Sequence, residues 1–292
     1  LGALKIEPLV YRLVCKNGLI SKDYSHKKYH TGRQIENTDN AYELYSDATL
    51  AADDKAYFMK QLLIAFLLLV IPVSLTAQDD MVRIPDEEDI LRQTLTPSSP
   101  YYYTNLMLKY RDGNDKLTDD EYFYLYYGYM YQEAYRPFVE NRALDEMLLL
   151  MSGIDIEQPM VSQLEAIIER GAEAMELDPF NPKVLNIMAF AYGALGDKQR
   201  EQLYFDHLNG VLRTIESSGT GLKEASPWHI LMFSHAYDLL ASKGYQYGES
   251  RIISRNVEYV PITKKSEDRI KGFYFDYSRV YRNKPDDVVI KR

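Results

Sequence analysis

The chain has 292 residues, a formal net charge of −9, and apolar and charged fractions that are ordinary for a globular protein. This acidic balance argues against nucleic acid as a partner, because phosphate binding requires clustered Lys and Arg side chains, and no basic stripe is visible. Cys15 is the only cysteine, which excludes an intramolecular disulfide and a thiolate metal cluster.

Residues 59–77 have the pattern of a secretory signal peptide. Met59 and a lysine precede an apolar run over residues 62–73, and small and polar residues follow up to Ala77. The run is short and interrupted by a proline, which is unfavourable for a membrane span. We therefore expect cleavage near Ala77, a periplasmic or secreted mature protein, and contact with the membrane only through the signal sequence.

Residues 1–58 precede this pattern and allow two interpretations. In the favoured one, translation starts at Met59, and residues 1–58 are an upstream extension that is disordered or not expressed; Leu1 in place of a methionine supports it. In the other, the apolar run is an uncleaved signal anchor and residues 1–58 lie in the cytoplasm. The flank before Met59 has few Lys or Arg residues for such an anchor. Residues 78–292 then form a single, mostly helical domain.

Eight helices are predicted in this domain from helix-start and helix-stop residues. Ser99 is predicted to cap the second helix, Thr118 and Glu121 to form a capping box on the third, and Asn181 with Pro182 to open the sixth. The predicted helices span residues 85–95, 99–111, 118–136, 138–151, 159–178, 181–196, 198–217 and 226–244.

The C-terminal region differs from the rest in composition. Residues 253–263 and 269–281 are rich in aromatic and branched side chains, which predicts a two-stranded hairpin. An isolated hairpin is marginally stable, so it must pack on the helices. The predicted fold class is therefore mainly α, with stacked helical hairpins and a small C-terminal β-hairpin.

A weak internal repeat makes the stack tetratricopeptide-like. Leu185, Met188, Tyr192 and Gly196 fall at the spacing of the first helix of a tetratricopeptide repeat. The next helix has Glu201 where a small residue is expected. We therefore predict a tetratricopeptide-like arrangement rather than a regular array.

The segment Glu121–Tyr135 is dense in tyrosine and apolar on nearly all sides of a helical wheel. This pattern favours a helix surrounded by other helices, with phenol rings in the core and hydroxyls that need partners. The alternative is an aromatic surface that stacks on sugars or aromatic ligands. The candidate ligand surface consists of Tyr101, Tyr102, Tyr103, Tyr124, Tyr131 and Trp228.

Part of a calcium-binding loop is also present. The residues at plausible ligand positions are Asp112, Asn114, Thr118 and Glu121. However, Tyr110 and Asp115 occupy positions where such a loop requires Asp and Gly. A turn followed by a capping box explains the same residues and is the favoured interpretation.

The sequence identifies no catalytic residue, so any catalytic residue stays unknown, and it predicts no cofactor and no metal. His229 and His235 are six residues apart and cannot share a helical face. His235 lies on an apolar stripe with Trp228 and is expected to be a hydrogen-bonded core residue, whereas His207 has no evident partner. Nucleophile-elbow, P-loop, dinucleotide and metal-spaced motifs are all missing from the sequence.

Several segments together resemble a known family: residues 101–138, 178–197, 217–222 and 270–281. They are similar to the domain of unknown function 4919, a family of short exported proteins from gram-negative bacteria. The resemblance covers about residues 85–282. It implies export and a shared fold, and it implies no activity, so no catalytic residue is carried over.

Two classes of function remain open. The favoured one is a non-enzymatic, helical-repeat-like binding or scaffold module of the periplasm or cell exterior, because stacked helical hairpins form concave surfaces for peptide or protein partners. The alternative is a glycan-binding protein or hydrolase that acts on envelope or dietary glycans. It requires a deep pocket with two carboxylates, or exposed tyrosines beside Trp228.

Overall fold

The computed structural model describes residues 82–263 and 269–285, so the predicted signal peptide and the segment before it lie outside the described residues. The helices in the described chain are α1 (Glu87–Leu95), α2 (Tyr103–Asp112), α3 (Asp119–Gly128), α4 (Arg142–Ser152), α5 (Val161–Leu177), α6 (Pro182–Ala194), α7 (Lys198–Ser217), α8 (Phe233–Ser242) and α9 (Ser278–Arg282). The strands are β1 (Trp228–His229), β2 (Arg251–Ile252), β3 (Val257–Pro261) and β4 (Gly272–Asp276). Within these ranges, every helix is too short or too polar to cross a membrane.

The mainly α class is confirmed, and the predicted hairpin forms the centre of a small sheet. β3 and β4 pair antiparallel, with Val257 opposite Asp276 and Pro261 opposite Gly272. β2 adds to β3 antiparallel, and β1 adds to β4 in parallel, which gives the strand order β1-β4-β3-β2. The sheet in the described residues is therefore mixed and four-stranded, whereas the sequence predicted two strands.

The prediction of a helix from residue 226 is wrong at its start. Residues Trp228 and His229 form β1, and α8 begins only at Phe233. The hydroxyl of Ser218 accepts the His229 N–H at 2.8 Å, and the Ile230 N–H donates to the carbonyl of Asp276 at 3.3 Å. These backbone donors are satisfied by distant partners, so an extended conformation replaces the first turn of the predicted helix.

Helix starts follow the predicted caps in two of three cases. Thr118 accepts from the Glu121 N–H at 3.2 Å, and the Glu121 carboxylate accepts from the Thr118 N–H at 2.7 Å, which completes the predicted capping box. Asn181 caps α6 before Pro182, also as predicted. Ser99 does not cap a helix: its hydroxyl accepts from the Tyr101 N–H within a turn, so α2 begins later, at Tyr103.

The sequence predicted one continuous helix for the tyrosine-rich segment, and this prediction is wrong. α3 ends at Gly128, and a short 3-10 helix over Tyr129–Tyr131 follows. In this arrangement the Tyr129 hydroxyl donates to the Leu177 carbonyl at 2.9 Å. The Tyr135 hydroxyl donates to the Leu231 carbonyl at 2.7 Å. With the α-helix ending at Gly128, both phenols bond to carbonyl acceptors of other segments.

The described residues contain two hydrophobic clusters. The larger one surrounds α3 and includes the buried rings of α2, the middle of α7 and the sheet residues Phe273 and Phe275. The smaller one lies between α4, α5 and α6 and is built from methionine and aliphatic side chains such as Met147, Ile167 and Met188. The prediction that the tyrosine-rich segment is core is confirmed, because its residues from Tyr122 to Met130 are all buried.

We expect Gly210→Ala to lower the free energy of unfolding by about 1–3 kcal/mol, because overpacking forces buried groups apart. A Cβ atom at Gly210 would lie 2.4 Å from the buried Tyr122 ring. Urea unfolding measures the change. Gly153→Ala is the control, because its Cβ meets only the Leu150 carbonyl at 3.8 Å, and a change within about 0.5 kcal/mol is expected. Equal stability of the two variants would contradict this packing.

Candidate functional site

A cleft of about 970 Å³ opens between the loop that joins α2 to α3 and the first half of α7. We call it the α7 cleft. Residues 111–117 form one side and residues 199–213 form the other. Its volume lies near the upper end of the roughly 300–1,000 Å³ range of small-molecule pockets. The cleft therefore has room for several residues of a peptide or several sugar rings.

The loop side of the cleft is positioned by Gly113. This residue has a left-handed backbone conformation with φ of 68°, and its N–H donates to the Lys109 carbonyl at 3.1 Å. Glycine is favoured at such a helix end because it has no Cβ atom. A Cβ atom at this site would also lie 2.7 Å from the Leu203 side chain. Gly113 therefore lets the loop turn sharply and approach α7 closely.

Two tyrosines form an aromatic wall of the α7 cleft. The rings of Tyr192 and Tyr204 stack with centroids 5.5 Å apart and an interplanar angle of 10°. The Arg200 guanidinium lies 5.1 Å from the centroid of the Tyr192 ring. Both tyrosines are half-buried, while Arg200 is exposed. The wall thus offers an aromatic surface with a cation at its edge.

The floor of the cleft is a buried histidine that is fixed on both sides. His207 Nε2 lies 2.9 Å from the Tyr110 carbonyl, which can only accept, so Nε2 carries the proton. Nδ1 then accepts from the Tyr122 hydroxyl at 2.9 Å. Burial lowers the pKa of His207 to about 4. The imidazole is therefore neutral at pH 7, and both of its nitrogens are occupied.

The charged side chains of the cleft are balanced in number. The cationic ones are Arg111, Lys116, Arg200 and Arg213, and the acidic ones are Asp112, Asp115, Asp197 and Asp206. Lys116 Nζ lies 2.9 Å from Asp206 Oδ2, and Arg213 Nη2 lies 2.9 Å from Asp119 Oδ1. Such exposed pairs contribute little to stability. Their charges are therefore available to exchange partners with a ligand that carries both signs.

The candidate ligand surface is divided between buried and half-buried positions. Trp228 is buried; its Nε1–H donates to the Gly219 carbonyl at 2.9 Å, and its ring stacks on Phe273 at 4.8 Å. Tyr103 is also buried. Neither residue presents an open ring face of the kind that a sugar-stacking surface requires.

The remaining candidates lie near α1. Tyr124 is buried, stacks on the half-buried Tyr101 at 4.2 Å, and donates its hydroxyl to Asp89 at 2.7 Å. Tyr131 is half-buried and donates to the Glu87 carbonyl at 2.9 Å. Tyr102 is half-buried. The structure thus brings Tyr101 and Tyr124 together, and their stacked rings cover one another.

The residues of the partial calcium loop serve the turn and the helix start. Thr118 and Glu121 form the capping box, and Glu121 also pairs with Lys109 at 2.8 Å. Asn114 donates to Asp112. Nowhere in the described chain do three or more histidine, cysteine or acidic side chains cluster closely enough to hold a metal ion.

His235 belongs to a buried hydrogen-bonded chain. The Tyr126 hydroxyl accepts from the Leu231 N–H at 3.2 Å and donates to His235 Nδ1 at 2.8 Å. His235 Nε2 lies 3.0 Å from Asp178 Oδ2. This confirms the prediction of a hydrogen-bonded core histidine. Since both nitrogens are used, His235 has none left to activate the neighbouring Ser234.

Sequence reasoning did not identify the α7 cleft. Its aromatic wall comes from α6 and α7, and its opposite side comes from a loop more than 70 residues earlier in the chain. The Asp112–Gly113 dipeptide is a turn signal, and it could have indicated a loop at this position. Nothing in the local sequence indicates which helix that loop faces.

Comparison with known proteins identifies a family. A family model described as a domain of unknown function, DUF4919, matches residues 89–285, a span that contains every residue of the α7 cleft. No curated protein and no solved structure gives a significant match.

We expect His207 to make the protein less stable as the pH falls from 6.5 to 4. Its pKa is about 4 in the native protein, against an ordinary value of 6.5, so in this window the unfolded chain binds a proton that the native protein does not. The loss is about 2–3 kcal/mol. Urea unfolding of wild type and of His207→Gln at pH 7 and pH 4 isolates this loss, because the two proteins have all other titratable groups in common. An equal loss in both proteins would refute the assignment.

Proposed function

The chain belongs to the DUF4919 family, as its sequence resemblance predicted, and from this premise we propose that it is an exported, non-enzymatic binding module. In this proposal, the α7 cleft holds a polar segment of a peptide or protein that carries both positive and negative side chains. The observation that carries the proposal is the cleft itself: about 970 Å³, open to solvent, and lined by equal numbers of cationic and acidic side chains.

Charge balance favours a peptide ligand over a purely anionic or cationic one. A ligand of one sign would leave half of the charged side chains of the cleft facing like charge, which opposes binding. A segment with both signs can replace the exposed pairs Lys116–Asp206 and Arg200–Asp197 one charge at a time. The half-buried rings of Tyr192 and Tyr204 then supply apolar contact area.

The histidine and the paired aspartates of the cleft favour binding over proton transfer. A general base needs a free, accessible atom within reach of the substrate. In the α7 cleft, the one histidine has both nitrogens bonded, and Asp206 and Asp197 lie beside Lys116 and Arg200. The two paired aspartates are therefore arranged to hold charge, whereas Asp112 and Asp115 form no ion pair within the described chain.

Helix packing supports a tetratricopeptide-like element around the cleft as part of the proposal. The helices α4 to α7 follow one another through short connections, and each packs on the next. Gly171 of α5 lies so close to α6 that a Cβ atom there would be 2.3 Å from the Met188 sulfur. Close contacts through small residues between successive helices are typical of helical repeats.

A second candidate function is glycan binding at the same cleft. The stacked pair Tyr192 and Tyr204 presents an aromatic surface, with Arg200 and Gln199 beside it. Sugar rings stack on aromatic faces, and planar polar side chains bind their hydroxyls. Affinity measurements with both kinds of ligand distinguish the two functions.

We expect the purified protein to bind a synthetic decapeptide of alternating Lys and Glu more tightly than all-Lys or all-Glu decapeptides. Fluorescence anisotropy measures the three affinities, and calorimetry with cello-, chito- and xylohexaose tests the glycan alternative. The double change Tyr192→Ser with Arg200→Ser should weaken peptide binding about tenfold or more. The control is Tyr102→Ser with Arg142→Ser, outside the cleft. Equal affinities of both variants, or binding only of a hexaose, would contradict the peptide proposal.

Export is proposed from residues 59–77, because a lysine followed by a short apolar run and small residues is typical of a secretory signal. Expression from Met59 in a gram-negative host, followed by fractionation and N-terminal sequencing, should yield a periplasmic or secreted chain that starts at Gln78. Leu67→Arg should block export, because a charge interrupts the apolar run, whereas Lys60→Arg is a control that keeps the positive charge. A chain that stays in the cytoplasm, or export of both variants alike, would refute export by this segment.

A further inference from the structure

A second cavity, separate from the α7 cleft, lies at the start of α8. Its volume is about 180 Å³, and its lining residues come from residues 136–144, from residues 177–181 at the end of α5, and from residues 232–234. It shares no residue with the α7 cleft. This volume is below the roughly 300–1,000 Å³ of drug-sized sites, so it suits a ligand of a few heavy atoms.

A buried carboxylate, Asp178, lines this cavity. Its side chain is 9 % exposed, and it accepts hydrogen bonds from His235 Nε2 at 3.0 Å and from Asn181 Nδ2 at 3.1 Å. A carboxylate has about four acceptor positions, so Asp178 keeps acceptor capacity beyond these neighbours. Since the residue lines the cavity, a ligand there that donates hydrogen bonds and carries positive charge would satisfy it.

The polar residues of the lining also include Ser234 and Arg136. Ser234 Oγ accepts from Asn181 Nδ2 at 3.3 Å, and its hydroxyl hydrogen remains available to a ligand. Arg136 lines the same cavity, is exposed, and forms no ion pair with any residue in the described ranges. A guanidinium in this position suits a carboxylate, because it can donate two parallel hydrogen bonds.

The rest of the lining is largely apolar: Pro137, Val139, Leu144, Leu177, Met232 and Phe233. Val139 is 52 % exposed, although it belongs to the wall of a cavity. A ligand with a short aliphatic side chain would cover this apolar surface, and removing the surface from water would favour binding.

We propose that this cavity binds a free α-amino acid with an apolar side chain, with its ammonium at Asp178 and its carboxylate at Arg136. A simple amine would leave Arg136 without a partner, and the positive charge of the amine would face that of the guanidinium. A simple carboxylic acid would face the negative charge of Asp178. A zwitterion satisfies both groups, and its aliphatic side chain contacts the apolar wall.

The ligand test uses the full chain and four small probes. L-leucine should bind, with a dissociation constant in the micromolar to millimolar range, as measured by calorimetry or by ligand-observed NMR. Isoamylamine lacks the carboxylate, 4-methylpentanoate lacks the ammonium, and glycine lacks the side chain. Each of these three should bind at least about tenfold more weakly than L-leucine. The proposal is wrong if L-leucine fails to bind at about 10 mM, or if isoamylamine or 4-methylpentanoate binds equally well.

The variant test depends on Arg136, because this exposed residue can be changed without disturbing the core. Arg136→Gln should weaken L-leucine binding about tenfold while leaving isoamylamine binding unchanged or stronger. Arg142→Gln, an exposed arginine of α4 outside the cavity lining, is the matched control and should bind L-leucine like wild type. Equal L-leucine affinity in Arg136→Gln and wild type would overturn the assignment of the carboxylate. Because the α7 cleft is a separate site, neither result bears on peptide binding there.

Discussion

The structure depends on three buried tyrosine hydroxyls, each of which donates to an acceptor on another segment of the chain. Tyr110, Tyr126 and Tyr127 are almost entirely inaccessible to solvent. Burial raises the pKa of each phenol, so each remains a protonated donor. Leaving such a donor unpaired costs about 1–3 kcal/mol. The acceptors are therefore constraints on the fold: the Pro179 carbonyl for Tyr110, His235 for Tyr126, and the His229 carbonyl for Tyr127.

These hydrogen bonds connect the core to both cavities. The Tyr122 hydroxyl fixes His207, which forms the floor of the α7 cleft. The Tyr126 hydroxyl fixes His235, which in turn holds Asp178 at the wall of the second cavity. In each case, a tyrosine of α3 fixes the orientation of a histidine, and in the second case the histidine also bonds to a carboxylate of the cavity wall. The same segment that forms the core thus positions groups that line the two cavities.

The sequence predicted which helices and strands form better than it predicted where they end and which segments they contact. Periodicity and capping residues located α3 and α6, because Thr118 and Asn181 act within one turn of their own helix. The extended start at Trp228 was missed, since the partners that hold it are the Ser218 hydroxyl and strand β4, which are remote in sequence. The same reason applies to the end of α3 at Gly128, after which the Tyr129 and Tyr135 hydroxyls bond to carbonyls that are remote in sequence. Both cavities combine side chains from distant segments, so local patterns could not reveal them.

The most direct test of this account is the free energy of unfolding of Tyr126→Phe compared with Tyr102→Phe. Tyr126→Phe leaves the Leu231 N–H and His235 Nδ1 without their buried partner, so a loss of about 1–3 kcal/mol is expected. Tyr102 is half-buried, and its hydroxyl forms no hydrogen bond within the described chain, so Tyr102→Phe should change stability by less than about 0.5 kcal/mol. If Tyr126→Phe were as stable as Tyr102→Phe, the buried hydroxyls would not be what holds these elements together.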